Sequence, residues 1–396
     1  MEHTVKRNKR LTLLSCLLNA AATMTATGTL MQTFLASLGL SAEWIYIHAT
    51  VTQAVNVAML LLGSRWVRAD NAVARYAAVS VPYALLFAAV LPFCFRQSPS
   101  ADTFIYLVII GALQAAAIGL RTVSSYIMPY LLYTAEDYGP LQSLSGILSS
   151  VFTLALGALI SFLTGILPFG TLMALACGIS AGLMLLDAAL TRVMRSIVPP
   201  GSRQVPETRK SASLRQTFCH PAFYTLALPS LLRGFASGTT TVFAATAFAL
   251  GYDGTVTANL LYLQSAAGLL GCACIGLLPR KISVRYPVLV GSLSFLLLPL
   301  FFLGSGPVFL GAATAVVLGR TLVDYGVPIL LRRAVPIEIA GSYNAWRMIL
   351  HSGGTLLATT VAAMIPAEAL IGVTVLFSLV SGCGFFFSKV IRRSEI

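Results

Sequence analysis

The chain has 396 residues, of which 57% are hydrophobic and only 10% charged, and its mean hydropathy is +0.85. A soluble domain carries about 25% charged residues, so 26 basic and 13 acidic side chains are too few to clothe a water-soluble protein of this size. Collagen, coiled coil, disordered chain and disulfide scaffold fail on the same numbers, which leaves a polytopic membrane protein.

A membrane-spanning helix needs about 20 mostly apolar residues. In chain order such stretches fall near 11–36, 44–63, 73–95, 105–132, 141–164, 168–191, 221–249, 256–278, 287–304, 307–331, 341–364 and 368–388, here called spans 1 to 12. Helices are expected because lipid offers no partner for loose backbone N–H and C=O groups, and the alternating segments of a β-barrel do not occur. The breaks coincide with turn chemistry at Gly39, Pro99, Pro168, Gly306-Pro307 and Pro366.

Charge sets the expected orientation. With the N-terminus inside, Lys6–Arg10, Arg65 to Arg75, Arg192 to Arg215, Arg280 to Arg285, Arg332-Arg333 and Lys389 to Arg393 all fall in cytoplasmic segments, and Arg96 alone lies in an external loop. This is the positive-inside pattern. It predicts an integral protein of the cytoplasmic (inner) membrane with both termini cytoplasmic. The net charge of +13 then reads as topology determinants beside anionic lipid, with no nucleic-acid partner. The apolar run after Lys6–Arg10 is too long for a signal peptide and has no small-residue cleavage site, so it reads as a retained first span. Seven cysteines without a C-x-x-C pair indicate neither a metal site nor a disulfide framework.

The longest cytoplasmic connection, 194–217, contains Pro199-Pro200-Gly201 and Pro206. It divides the chain into an N-terminal six-helix bundle, 1–193, and a C-terminal six-helix bundle, 218–396. The halves resemble each other. Arg121-Thr122, Tyr126, Pro129 and Leu131-Leu132 align without a gap on Arg320-Thr321, Tyr325, Pro328 and Leu330-Leu331, and Arg75-Tyr76 echoes Arg285-Tyr286. Spans 4 and 10 run in the same direction, so the duplication is parallel.

Six plus six helices, a basic central loop, cytoplasmic termini and parallel half-repeats resemble the major facilitator superfamily. The loop between spans 2 and 3, Gly63-Ser64-Arg65-Trp66-Val67-Arg68, keeps that family's glycine and basic residues but has Val67 at its aspartate position. Gly111-Ala112-Leu113-Gln114-Ala115 lacks the span 4 arginine of the drug-exporting relatives, and Gly139-Pro140 lies at the start of span 5 rather than within it. The resemblance implies an all-α membrane protein with twelve transmembrane helices in two pseudo-symmetric bundles. It also implies spans 1, 4, 7 and 10 around a central aqueous cavity, alternating access and no cofactor.

Ionisable groups within spans are costly and therefore candidates for function. They are Arg121, Arg233, Arg320, Asp324, Arg347 and His351, with Asp187 nearer a cytoplasmic end; His48 is not expected to be deep. Helical spacing places Gln114, Arg121 and Ser125 on one face of span 4, and Asn19, Thr23 and Thr27 on one face of span 1. Span 7 aligns Ser230, Arg233, Ser237 and Thr241, and span 11 aligns Asn344, Arg347, His351 and Thr355. Arg121 and Arg320 can either face the cavity or snorkel to the headgroups, and Asp324 can neutralise Arg320 along its own helix.

The candidate substrate-binding residues are Arg121, Arg320, Arg233, Gln114, Asn19, Tyr126 and Tyr325. Asp324 and His351 are the candidate proton carriers, because arginine does not release its proton. No H-E-x-x-H motif or Walker loop occurs, and no enzyme activity is expected. Four deep arginines against Asp324 point to a secondary active transporter of a small organic solute bearing an anionic group. The alternative is an exporter of amphipathic, lipid-like or drug-like molecules; a non-transporting receptor or intramembrane enzyme is a third possibility. The expected partners are the small-molecule substrate, protons and the lipid bilayer, with the protein acting as a monomer.

Overall fold

A computed structural model describes residues 2–26, 29–66, 71–95, 101–133, 135–197, 219, 221–252, 254–276, 282–334, 337–389 and 391. The N-terminal helices are α1 (Glu2–Ala26), α2 (Thr29–Ser37), α3 (Ala42–Trp66), α4 (Ala72–Ala88), α5 (Ala101–Leu132), α6 (Ala135–Thr164) and α7 (Phe169–Val193). The C-terminal helices are α8 (Pro221–Thr241), α9 (Phe243–Ala249), α10 (Gly254–Gly276), α11 (Arg285–Leu293), α12 (Gly306–Ala334), α13 (Ile337–Ala362) and α14 (Ala367–Phe387). Single turns of 3₁₀ helix follow α4 at Leu91–Phe93, and a longer 3₁₀ stretch, Ser294–Leu303, continues α11.

These fourteen α-helices fit twelve spans, because α1 with α2 covers span 1, α8 with α9 covers span 7, and α11 with its 3₁₀ extension covers span 9. The sequence led us to expect uninterrupted helices there. In span 7 the cause of the break is local. The hydroxyls of Thr239, Thr240 and Thr241 each donate to a carbonyl three or four residues back, on Phe235, Ser237 and Gly238. Such bonds compete with the helix ladder and bend it; Val242 follows with φ −108° and ψ 15°. In span 9, Pro299 lies inside the 3₁₀ stretch and removes a backbone donor. Spans 1 and 7 both finish on a left-handed glycine, Gly39 and Gly251, each with φ +82°, a conformation open to glycine at little cost.

Among the described residues, eight helices are long and apolar enough to cross a membrane, in spans 2 to 6, 9, 10 and 12. The others are the broken spans 1 and 7, span 8, whose apolar stretch is the shorter Tyr262–Gly276, and span 11, which carries Arg347 and His351. Helices shielded by neighbours can afford this polarity.

The chain divides into two compact units, Met1–Pro206 and Glu207–Ile396. The expected linker, 194–217, lies beyond residue 197 outside the described residues. Within the first unit, span 1 packs on spans 5 and 6, span 2 on span 4, and span 3 on spans 4 and 6. Within the second, span 7 packs on spans 11 and 12, span 8 on span 10, and span 9 on spans 10 and 12. Every pairing recurs six spans later, so the duplication seen in a dozen residues extends to the packing of each bundle.

In the first unit the start of α1 is fastened to the ends of α5 and α7. Asn8 is fully buried; its amide donates to the carbonyl of Arg195 at 2.8 Å and accepts from the Arg195 N–H at 3.3 Å. Arg7 donates to the carbonyl of Val193 at 2.6 Å, and the Tyr133 hydroxyl donates to the carbonyl of Asn8 at 3.3 Å. These bonds satisfy carbonyls that a helix end leaves without partners.

Candidate functional site: an arginine cluster in each unit

In the N-terminal unit the centre is Arg121 on α5, only 6% exposed. Its guanidinium donates to the carboxylate of Asp187 on α7 at 2.8 Å and to the Tyr76 hydroxyl on α4 at 2.7 Å. It also donates to the side-chain oxygen of Asn19 on α1 and lies 4.6 Å from the centre of the Tyr76 ring and 5.1 Å from that of Tyr83. Asp187 is fully buried and accepts a second bond from the Ser15 hydroxyl. Asn19 in turn donates to the Tyr76 hydroxyl at 2.9 Å. Spans 1, 3, 4 and 6 thus close around one neutral ion pair. Burying a charge is tolerable when it is paired and hydrogen-bonded, as the terminal nitrogens of this guanidinium are.

Two expectations change here. Asp187, set apart as a residue near a cytoplasmic end, is the partner of Arg121. His48 is deep, 4% exposed, and packs against Gly111 on α5. Gln114 is fully buried and donates to the carbonyl of Leu86 at 3.5 Å, joining α5 to α4. The side chains of Thr23, Thr27 and Tyr126 lie outside the described residues.

In the C-terminal unit the arrangement differs in charge. Arg233 on α8 and Arg320 on α12 both bind Asp324, Arg233 at one carboxylate oxygen and Arg320 at the other at 3.3 Å. Arg320 also donates to the Thr240 hydroxyl at 2.6 Å. Asp324 and Arg320 keep side-chain exposures of 30% and 32%, against 10% for Arg233. His351 on α13 lies near Arg233, Arg347 and Arg320. Among the described residues no carboxylate pairs with Arg347, which contacts the sulfur of Met348 at 3.4 Å. Two guanidiniums therefore share one carboxylate, with a third nearby.

This cluster depends on an unusually close approach of α8 and α13. A Cβ built on Gly234 would lie 2.0 Å from the carbonyl oxygen of His351, and one on Gly354 would lie 2.1 Å from that of Leu231. Thr355 donates to the carbonyl of Gly234 at 3.0 Å. Only glycine permits such contact, and it brings Arg233 beside His351. Gly234 and Gly238 form a G-x-x-x-G pair in the sequence, the signal by which this interface could have been found. Tyr325 is half-buried on α12 but does not line the cavity beside Arg233 and Arg320. The side chains of Asn344 and Pro328 lie outside the described residues. Among the described residues, no three metal-ligating side chains come together.

No protein-family model matches the sequence, and no curated protein does either. Solved structures do. A bacterial homologue of the iron transporter ferroportin in its outward-facing state matches with a TM-score of 0.69 at 15% identity, over 96% of this chain and 98% of that one. A D-xylose–proton symporter matches with a TM-score of 0.66 at 13% identity, over 97% of each chain. The nucleoside transporter NupG matches with a TM-score of 0.61 at 14% identity, over 98% of this chain and all of that one. Two six-helix units with the same internal pairings, and likeness over nearly the whole length to such transporters, give this integral membrane protein the fold of the major facilitator superfamily.

Proposed function

We propose that the chain is a secondary transporter that moves a small anionic organic solute across the cytoplasmic membrane by alternating access, with both termini cytoplasmic. The similar solved structures support transport as the activity. The observation that carries the anionic preference is the charge of the C-terminal cluster: Arg233 and Arg320 share Asp324, and Arg347 adds a further positive charge. An acidic group on the solute would complete that balance, and guanidinium forks suit carboxylate and phosphate oxygens. Arg121 has its carboxylate already, so its role in this scheme is to hold spans 1, 3, 4 and 6 together.

The test is uptake of labelled small organic anions into proteoliposomes. Arg320→Gln and Arg233→Gln should each abolish uptake while the protein still folds, since a buried anion that loses one charged partner is weakened by on the order of 2–5 kcal/mol. Wild-type uptake by both variants, together with efflux of lipophilic dyes, would favour the amphipath exporter instead.

A further inference from the structure

The face that span 11 turns toward span 7 is fixed at two levels. Near the start of both spans the rings of Phe223 and Tyr343 meet edge-on, with 6.5 Å between their centres. Three turns further along span 11 the backbones touch, Gly354 against the Leu231 carbonyl and Gly234 against that of His351. Arg347 and His351 lie between Tyr343 and Gly354 on this face, one turn apart. The stretch of span 7 that faces them, from Phe223 to Leu231, has no acidic residue. The carboxylate of the neighbouring cluster, Asp324, is already held by Arg233 and Arg320.

Both side chains hold a buried nitrogen that no protein group satisfies. The Nε of Arg347 and the Nδ1 of His351 are buried without a hydrogen-bond partner. Nε and Nη2 form the side of a guanidinium that grips a carboxylate through two parallel bonds. In Arg347 the acceptor for Nη2 is the Met348 sulfur at 3.4 Å, and a thioether accepts only weakly. Buried polar groups are normally satisfied, and one left open in a native structure calls for a reason. A ligand carboxylate supplies it. Its two oxygens match that side of Arg347, His351 can donate from Nδ1 to the same group, and its single negative charge matches the guanidinium. This rests on the chain being an anion transporter: we propose that Arg347 and His351 receive the acidic group of the solute, and that the solute is an organic carboxylate.

The experiment uses the purified full-length protein. In sodium chloride, Arg347→Met should keep or raise the melting temperature, because it removes a charge that no carboxylate compensates; a structural arginine would lower it. Acetate is the probe for the carboxylate alone. Stepwise exchange of sodium chloride for sodium acetate, at fixed pH and ionic strength, should raise the wild-type melting temperature saturably by about 2 °C or more. The rise should vanish in Arg347→Met and in His351→Leu, and survive in part in His351→Gln, which keeps an N–H donor. It should persist in Arg192→Gln, which removes an exposed positive charge at the end of span 6. In proteoliposomes Arg347→Met should raise the KM for labelled organic carboxylates by at least about tenfold, and Arg347→Lys, with the charge but not the fork, should recover only part of that. A wild type indifferent to acetate, an acetate response or a wild-type KM retained by Arg347→Met, or a melting temperature lowered by that change would overturn the assignment while anion transport stands. If no organic anion is taken up at all, the transport reading fails instead, and the acetate response decides the site.

Discussion

Arg121 shows how far a single residue can be read from sequence. Its presence within a span was plain, and so was the cost of a charge there, but its partner was not. Asp187 falls near the end of the apolar stretch 168–191, where a carboxylate would ordinarily reach water. In the structure α7 continues to Val193, and on the inner face of its last turns Asp187 and Thr191 are fully buried. The long arginine side chain bridges the remaining distance. Removing the cation alone strands a buried carboxylate, so Arg121→Gln should destabilise the protein by about 3–5 kcal/mol. Arg121→Gln combined with Asp187→Asn should recover most of that loss. Melting temperatures of the two single variants and the double variant measure the coupling, and additive losses would show that the pair does not act as a unit.

At the scale of elements, hydropathy located the spans because each must present apolar side chains to lipid, and turn residues located their ends. It did not locate the breaks in spans 7 and 9, which arise from threonine hydroxyls and a proline within otherwise apolar stretches. Nor does hydropathy reveal which helices touch. The contact of α8 with α13 depends on the absence of side-chain atoms, a signal carried by Gly234, Gly238 and Gly354. Gly234→Ala should cost about 1–3 kcal/mol by overpacking, since its Cβ would meet the His351 carbonyl, and should displace Arg233 from His351. Gly353, next to Gly354, has nothing within 4 Å of a built Cβ. Gly353→Ala should leave the melting temperature unchanged or raise it, because alanine favours the helix.

For the whole molecule the repeat was the most informative sequence feature. Arg, Thr, Tyr and Pro in register predicted parallel halves, and the packing of spans within each unit has that symmetry. The repeat could not predict where the halves diverge in charge, because that depends on which side chains meet: Asp187 comes from span 6, whereas Asp324 lies one turn from Arg320 on the same helix. Proton coupling belongs to this scale, since it requires a group that changes protonation as access alternates. Asp324 and His351 are the groups beside the C-terminal arginines able to do so. A proton gradient across proteoliposomes should drive solute accumulation in the wild type, and Asp324→Asn with His351→Gln should abolish that dependence while leaving exchange. Accumulation that survives in the double variant would exclude both residues as carriers.

The fastening of α1 bears on the order in which the protein is made. Asn8 leaves the ribosome 187 residues ahead of its partner Arg195. The first helix must therefore wait, with its polar start unsatisfied, until the sixth span has been synthesised. Once Arg195 emerges, every group needed to close that contact is outside the ribosome, while most of the second unit has still to be made. Domains of large chains fold as units during synthesis, N-terminal first. The early half is thus equipped to complete itself, and its unpaired first helix is the segment most in need of protection while it waits.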